Sequence, residues 1–194
     1  FDDGPYFELG DNIDLAGKIW TPIGYYKDNY NYKSFKWNFD GNGYTISNLY
    51  TDYKTVTGTN YFGLFGYLGS NAVVKNVQVT NANIVAGSKS SGIIAGRTST
   101  SVTIEACYAT GTINASSYAG GIIGYSTSST LISRCYSNVT FINGTKGAIS
   151  GYSGKIENCL ADVTNSTFKM IGSGGSIENS VRRVGSTYYP NNET

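Results

Sequence analysis

One pattern recurs along this chain: two glycines bracket a few apolar residues, and an apolar-x-x-apolar step follows shortly after. Gly63-Leu64-Phe65-Gly66 precedes Val74-Lys75-Asn76-Val77. Gly92 to Gly96 precedes Ile104-Glu105-Ala106-Cys107, and Gly121 to Gly124 precedes Ile132-Ser133-Arg134-Cys135. Gly147 to Gly151 precedes Ile156-Glu157-Asn158-Cys159, and a weaker copy, Gly172 to Gly175, precedes Ile177-Glu178-Asn179-Ser180. Ile46-Ser47-Asn48-Leu49 reads as an upstream copy of the second half. Aligned on Leu49, Val77, Cys107, Cys135, Cys159 and Ser180, the copies are spaced by 28, 30, 28, 24 and 21 residues. A near-constant period in this range signals a solenoid, in which each unit buries its apolar face only against its neighbours.

The local patterns say which solenoid. In Cys135-Tyr136-Ser137-Asn138-Val139-Thr140-Phe141, Cys, Ser, Val and Phe share one face while Tyr, Asn and Thr share the other, a period of two. The unit is too short for a strand-helix-strand crossover, and no segment has helical periodicity. The expected fold is all-β: a single right-handed parallel β-helix of about five to six coils, its equivalent residues stacked about 4.8 Å apart. Residues 1–38 do not repeat and are assigned to an N-terminal capping segment. Residues 39–184 carry the repeats and 185–194 form a C-terminal tail, all within one domain.

Two positions in the repeat follow from backbone needs. The glycines Gly63, Gly66, Gly92, Gly96, Gly121, Gly124, Gly147 and Gly151 suit a corner with positive φ or a close approach between coils. Gly66, Gly96, Gly124 and Gly151 form one column of them. Asn48, Asn76, Asn158 and Asn179 fall in the bend of the second half, where Asn tolerates left-handed geometry and can bond to its own copy in the next coil. Ala106 and Arg134 interrupt that ladder.

Composition excludes several function classes. Only 14% of residues are charged and the net charge is +1, so no basic patch for nucleic acid is expected. Histidine is absent, which removes Ser-His-Asp and Cys-His catalysis and His-ligated metals. No apolar stretch is long enough to span a membrane. The chain begins at Phe1, so a signal peptide or a larger parent chain is expected before it. Sequons at Asn114, Asn138, Asn143, Asn165 and Asn192 would accept glycans in a host that attaches them.

Candidate chemistry is sparse. Cys107, Cys135 and Cys159 fall in one column, and in-register spacing exceeds the usual Cβ separation of a disulfide. They read as buried free thiols acting as small apolar residues. Glu157 and Glu178 occupy equivalent sites in adjacent coils, near the separation of a retaining glycosidase pair; repetition alone also accounts for them. Asp2, Asp3, Asp11 and Asp14 lack the spacing of a calcium loop. No cofactor and no metal site are expected.

Aromatic residues offer more. Tyr occurs 17 times, and two outward columns emerge from the alignment. One holds Tyr50, Gln78, Tyr108, Tyr136, Leu160 and Val181. The other, just past each glycine corner, holds Tyr67, Arg97, Tyr125 and Tyr152. Rows of outward tyrosines provide rigid contact area for sugar rings or a protein, and they also favour sheet formation by neighbour packing. The Tyr-rich stretch from Gly24 to Trp37, with Trp20 just before it, reads either as part of the cap or as a binding loop.

The Gly-Leu-Phe-Gly and Gly-Ile-Ile-Gly copies resemble the GLUG-motif repeats of bacterial surface and secreted proteins, including adhesins and non-catalytic regions of IgA-cleaving metallopeptidases. The opening, Asp11 to Gly24 followed by Phe39-Asp40-Gly41-Asn42-Gly43, resembles the way such arrays start. The resemblance covers roughly residues 6–180 and implies an extracellular, repetitive, non-catalytic stalk or adhesive surface. The expected function is therefore a secreted or cell-surface binding module. Its expected partner is a glycan or protein on a cell surface, or copies of itself, with no nucleic acid and no membrane insertion. The alternatives are a self-assembling subunit of a filament or sheath, and a β-helix enzyme acting on polysaccharide.

Overall fold

The computed structural model describes residues 4–164 and 168–190. They form a parallel β-solenoid, and no helix occurs among them. The first face is a seven-stranded sheet: Tyr6–Glu8, Asn38–Asp40, Val73–Lys75, Thr103–Glu105, Leu131–Ser133, Lys155–Glu157 and Ser176–Glu178. Seven passages through one face correspond to six turns of the chain. The second face carries the long strands Gln78–Gly87, Tyr108–Ala115 and Tyr136–Ile142. The third consists of Tyr61–Phe62, Ser90–Gly92, Tyr118–Gly120 and Thr145–Gly147, and the fourth of Phe65–Leu68, Ala95–Thr98, Ile123–Tyr125 and Ser150–Tyr152.

The core is a set of vertical columns. Phe39, Val74, Ile104, Ile132, Ile156 and Ile177 stack in register on the first face. Alternation puts these side chains inward while their neighbours point to solvent. Leu64, Phe65, Ile93, Ile94, Ile122, Ile123 and Ile149 fill the interior from the glycine corner.

At the bend after the first face, Asn76, Ala106, Arg134, Asn158 and Asn179 all have φ between +46° and +55°. Coil-to-coil bonds run straight through it, from Asn76 N to Glu105 O, Ala106 N to Ser133 O, Arg134 N to Glu157 O and Asn158 N to Glu178 O. This backbone ladder holds Ala and Arg in left-handed geometry at an intrinsic cost of about 1–2 kcal/mol each. Asn lowers that cost but is not required.

Asn48 belongs elsewhere, which corrects the alignment. Thr45–Ser47 pairs with Gln78–Thr80, so Ile46 opposes Val79 on the second face. Asn48 stacks on Asn81, whose Nδ2 donates to Asn48 Oδ1 at 2.6 Å, and Asn48 Nδ2 donates to Asp14 Oδ1 at 2.7 Å. The partner of Val74-Lys75 is Phe39-Asp40. At the first bend of that coil the loop Gly41–Tyr44 stands in, with Gly41 N donating to Lys75 O and Gly43 N to Asn76 O. Two different bends of this solenoid carry a left-handed Asn between inward residues, so the motif marks a corner without saying which one.

The glycine column is longer than the repeat indicates. Register places Gly24, Gly66, Gly96, Gly124, Gly151 and Gly172 in one line on the fourth face. Among these only Gly24 has positive φ, at +73°; close approach explains the others. A Cβ on Gly124 would lie 2.5 Å from Ser91 N and 2.8 Å from Gly96 O, and one on Gly151 would lie 2.6 Å from Gly124 O. The third and fourth faces meet so tightly here that only hydrogen fits. The other column is Gly63, Gly92, Gly120 and Gly147. Gly120, not Gly121, takes the third place in it, and a Cβ on Gly121 would strike the Ser137 hydroxyl instead.

Cys107, Cys135 and Cys159 are free and buried. They do more than fill space. Each thiol points at the carbonyl two residues back: Cys107 at Glu105 O, Cys135 at Ser133 O and Cys159 at Glu157 O, at 3.3, 3.3 and 3.2 Å. Cys159 Sγ in turn accepts from Cys135 N at 3.3 Å, and Ser180 Oγ accepts from Cys159 N at 2.9 Å. Burial pushes the Cys135 thiol pKa well up, so it stays protonated and a donor. Ser180 repeats the role, donating to Glu178 O. Native protein should react slowly with a thiol reagent at neutral pH, and denatured protein should titrate three thiols. Cys135→Ser should be milder than Cys135→Ala, because a hydroxyl can still donate to Ser133 O as Ser180 does to Glu178 O, whereas Ala loses that bond, worth about 0.5–1.5 kcal/mol, and leaves Ser133 O only the Ala106 N–H. Equal costs for the two would reduce the cysteines to packing alone.

Both ends pair with the sheets of the repeats. Residues of the 1–38 segment form the first coil of the same sheets: Tyr6–Glu8 pairs with Asn38–Asp40 and Ile13–Asp14 with Ile46 and Ser47. At the far end Thr187–Pro190, placed by the sequence in a tail, returns antiparallel on Val181–Val184.

Candidate functional site

Tyr67, Arg97, Tyr125 and Tyr152 stand in register on the fourth face, as the spacing predicts. Their neighbours across the glycine corner are not legible in the repeat. On the third face Tyr61, Ser90, Tyr118 and Thr145 form an adjacent column. The first coil leaves the solenoid between Ile23, which bridges to Phe65, and Phe35, which bridges to Leu68. The excursion is an antiparallel hairpin, Tyr25–Asp28 with Asn31–Lys33. Its turn is tied by Asp28 Oδ1, which accepts from Tyr30 N and Asn31 N. This hairpin lays Tyr26 and Tyr32 over the first member of the column.

The result is a continuous strip of rings. Tyr26 lies 5.5 Å from Tyr67 and 5.7 Å from Tyr61, and Tyr32 lies 6.1 Å from Tyr67. Further along, Tyr125 and Tyr152 stack at 4.7 Å with 10° between planes. Tyr118 lies edge-on to Tyr125 at 5.7 Å and tilted against Tyr152 at 5.0 Å. Arg97 joins the two halves, its guanidinium carbon 4.7 Å from the Tyr26 ring centre, 5.2 Å from Tyr61 and 5.5 Å from both Tyr67 and Tyr125. Arg97 Nη1 donates to the Tyr61 hydroxyl at 2.7 Å. Burial pushes the Tyr61 phenol up despite the nearby cation, so Tyr61 is neutral at ordinary pH. Tyr67, read from the sequence as outward, is covered by Tyr26 and Tyr32 and is only 9% exposed. The accessible rings are Tyr26, Tyr32, Tyr61, Tyr118, Tyr125 and Tyr152.

The second column is different in kind. Tyr108 and Tyr136 stack at 4.8 Å with 14° between planes. Tyr50 does not belong with them: it pairs with Asn83, and Thr45 takes the place opposite Gln78. The Tyr136 hydroxyl donates to Asp162 Oδ2 at 2.5 Å, and Arg183 grips the same carboxylate through Nε and Nη2. Burial, and then this carboxylate, push the Tyr136 phenol up to about 12. A phenol pKa raised in the folded state gives stability that is present below its unfolded value and lost as pH rises through the folded one. Unfolding titrations should therefore show stability falling from about pH 10 to 12, and Tyr136→Phe should remove part of that fall. An unchanged alkaline profile would contradict the bond to Asp162.

The remaining candidates find ordinary partners. Glu157 and Glu178 are in register, but Glu157 is ion-paired with Lys155. They belong to a register ladder of Glu8, Asp40, Lys75, Glu105, Ser133, Glu157 and Glu178, in which Ser133 is buried, Lys75 pairs with Asp40 at 3.2 Å, and Glu105 pairs with Arg134 of the next bend. Asp2 and Asp3 lie outside the described residues; Asp14 Oδ1 accepts from Ala16 N and Asn48 Nδ2. Among the described residues no three His, Cys, Asp or Glu side chains gather as a metal would require. Of the sequons, Asn165 and Asn192 lie outside the described residues, whereas Asn143 Nδ2 donates to Asn114 Oδ1 at 3.3 Å.

Known proteins resemble parts of this chain. A stretch of 129 residues, 63% of the chain, is 33% identical to 1% of halomucin from Haloquadratum walsbyi. A stretch of 84 residues is 38% identical to 9% of a provisionally named Gly-rich membrane protein from Evansella cellulosilytica. The chain thus spans a small fraction of either relative. Among solved structures, a provisionally assigned immunoglobulin A1 protease from Bacteroides ovatus aligns over 97% of this chain and 73% of its own, with 21% identity and a TM-score of 0.46. No family model matches the chain. The GLUG resemblance therefore rests on the motif copies themselves.

Proposed function

We propose that this chain is a non-catalytic binding or adhesion module displayed outside the cell, and that its ligand, a glycan or a surface protein, lies along the strip from Tyr26 to Tyr152. One observation carries the reading: rings from three separate sources, the hairpin and the third and fourth faces, converge around one arginine. Coil repetition accounts for a column of tyrosines but not for a hairpin that folds two more onto it. Rings of this kind offer apolar faces with polar rims at low conformational cost, which suits sugars and polar protein surfaces alike. The sequence similarity to halomucin and to a Gly-rich membrane protein supports a surface location.

The test compares two double variants for binding to glycan arrays and to intact cells. Tyr125→Ala/Tyr152→Ala should weaken binding by roughly 1–3 kcal/mol in total. Tyr108→Ala/Tyr136→Ala should bind like wild type. Both must keep their far-UV spectra. Loss in the second pair alone would move the site to the other column.

A specific observation favours one second reading, self-assembly. Phe7 and Ile13 sit at the first positions of core columns, yet are 43% and 40% exposed. Stacking at that end would cover them. Sedimentation showing a concentration-independent monomer would exclude it.

A further inference from the structure

Resting on the binding reading, and narrowing it by chemistry, we infer that the strip takes an acidic glycan, a polymer of sugars bearing carboxylates, and that Arg97 selects the acid over its neutral counterpart.

Two independent observations carry this. The first is the state of Arg97. Of the arginines, Arg134 pairs with Glu105, Arg183 with Asp162, and Arg182 donates to Phe168 O at 2.6 Å. Arg97 has no carboxylate or carbonyl acceptor among the described residues; its hydrogen bond goes to a phenol, and its buried Nε has no acceptor. A guanidinium carries five N–H donors in a planar fork that matches a carboxylate. Ring faces attract the cation but cannot fill that fork.

The second is how charge is distributed. The net charge is only +1, but the carboxylates are segregated. No Asp or Glu occurs between Asp52 and Glu105, nor between Glu105 and Glu157. The strands of the third and fourth faces consequently contain no carboxylate, while they contain Arg97 and Lys146. Lys89 sits beside them, its Nζ donating to Asn60 Oδ1 at 2.7 Å. The nearest hairpin acid in sequence, Asp28, is engaged by its own turn. The acids gather instead on the first and second faces, at Glu8, Asp40, Glu105, Glu157 and Glu178 and at Asp14, Asp52 and Asp162. An anionic chain laid along the strip meets aromatic faces and a half-buried guanidinium that no carboxylate neutralises, with no repelling carboxylate on either sheet. Because one cation acts at short range beside low-polarity rings, it discriminates locally rather than by long-range attraction.

The experiment measures retention on immobilised polygalacturonate, hyaluronan and alginate, each against the same polymer with its carboxylates methyl-esterified. Wild type should be held at least about tenfold more tightly by one or more acids than by the ester. Arg97→Gln should bring the ratio of acid to ester binding down to about one, whatever it does to the strength of both. Arg97→Lys, which keeps the charge but loses the fork, should fall between and serves if the Gln variant does not fold. Tyr125→Ala/Tyr152→Ala should weaken acid and ester alike. If no acid is preferred to its ester, or if both Arg97 variants keep the preference, the inference fails. Equal binding of acid and ester that still depends on the tyrosines overturns the acid selection and leaves the strip standing. Tyrosine variants that bind as wild type remove the strip itself.

Discussion

Gly124→Ala is expected to cost about 3 kcal/mol or more, and Gly124→Val to abolish the folded state. The added Cβ would lie 2.5 Å from Ser91 N, 2.7 Å from Ser91 C and 2.8 Å from Gly96 O. All three are backbone atoms of strands locked in the preceding coil. Relief requires the third and fourth faces to part, which breaks their ladders. Gly96 and Gly151 should behave alike, since their added Cβ atoms would meet Phe62 N at 2.5 Å and Gly124 O at 2.6 Å. Gly10→Ala is the control, because nothing lies within 4 Å of its Cβ position and its φ is ordinary. Urea unfolding followed by far-UV circular dichroism reads both. A Gly124→Ala variant within about 1 kcal/mol of wild type would mean that the corner is looser than the structure shows.

Phe65→Ala should cost about 3–5 kcal/mol. Phe65 is fully buried, with ring centres 5.0 Å from Phe35 and 5.4 Å from Phe39. Phe35 continues the cluster to Phe7 and Trp37 at 5.7 Å each. The single ring thus anchors the first coil, and with it the hairpin that carries Tyr26 and Tyr32, to the repeats. Hydrogen exchange should rise first in residues 6–35 and only later in the central coils, as a nearest-neighbour array predicts. Uniform loss of protection would contradict that localisation. Tyr30→Ala, at a side chain 99% exposed, should be silent.

How far the sequence is legible depends on the kind of information each residue carries. The Ile-x-x-Cys steps and the glycine pairs are strongly constrained, by an inward column and by a backbone contact, so four copies in register specify the solenoid and both tyrosine rows downstream of residue 60. The spacing misplaces Asn48 and Tyr50 because a left-handed Asn between inward residues serves two different corners. It favours Gly121 over Gly120 because two adjacent glycines look alike until a neighbour's position decides. The cysteines read as apolar filler; their bonding to the carbonyls two residues back is hinted at by Ser180 in the same column, since a hydroxyl there needs an acceptor. Tyr26, Tyr32, Tyr61 and Tyr118 escape the repeat as site residues because nothing in the spacing relates the third face, or a hairpin outside the repeat, to the fourth. Only the three-dimensional path of the first coil brings them together.

The strip around Arg97 as the surface this chain uses is tested most directly by nuclear magnetic resonance on protein labelled in its tyrosine rings, titrated with whichever glycan or surface extract the wild type retains. The ring resonances of Tyr26, Tyr61, Tyr118, Tyr125 and Tyr152, with the Arg97 Nε–H, should shift together along one saturation curve while those of Tyr108 and Tyr136 stay fixed. Shifts confined to Tyr108 and Tyr136, or to neither column in a sample that binds, would contradict it.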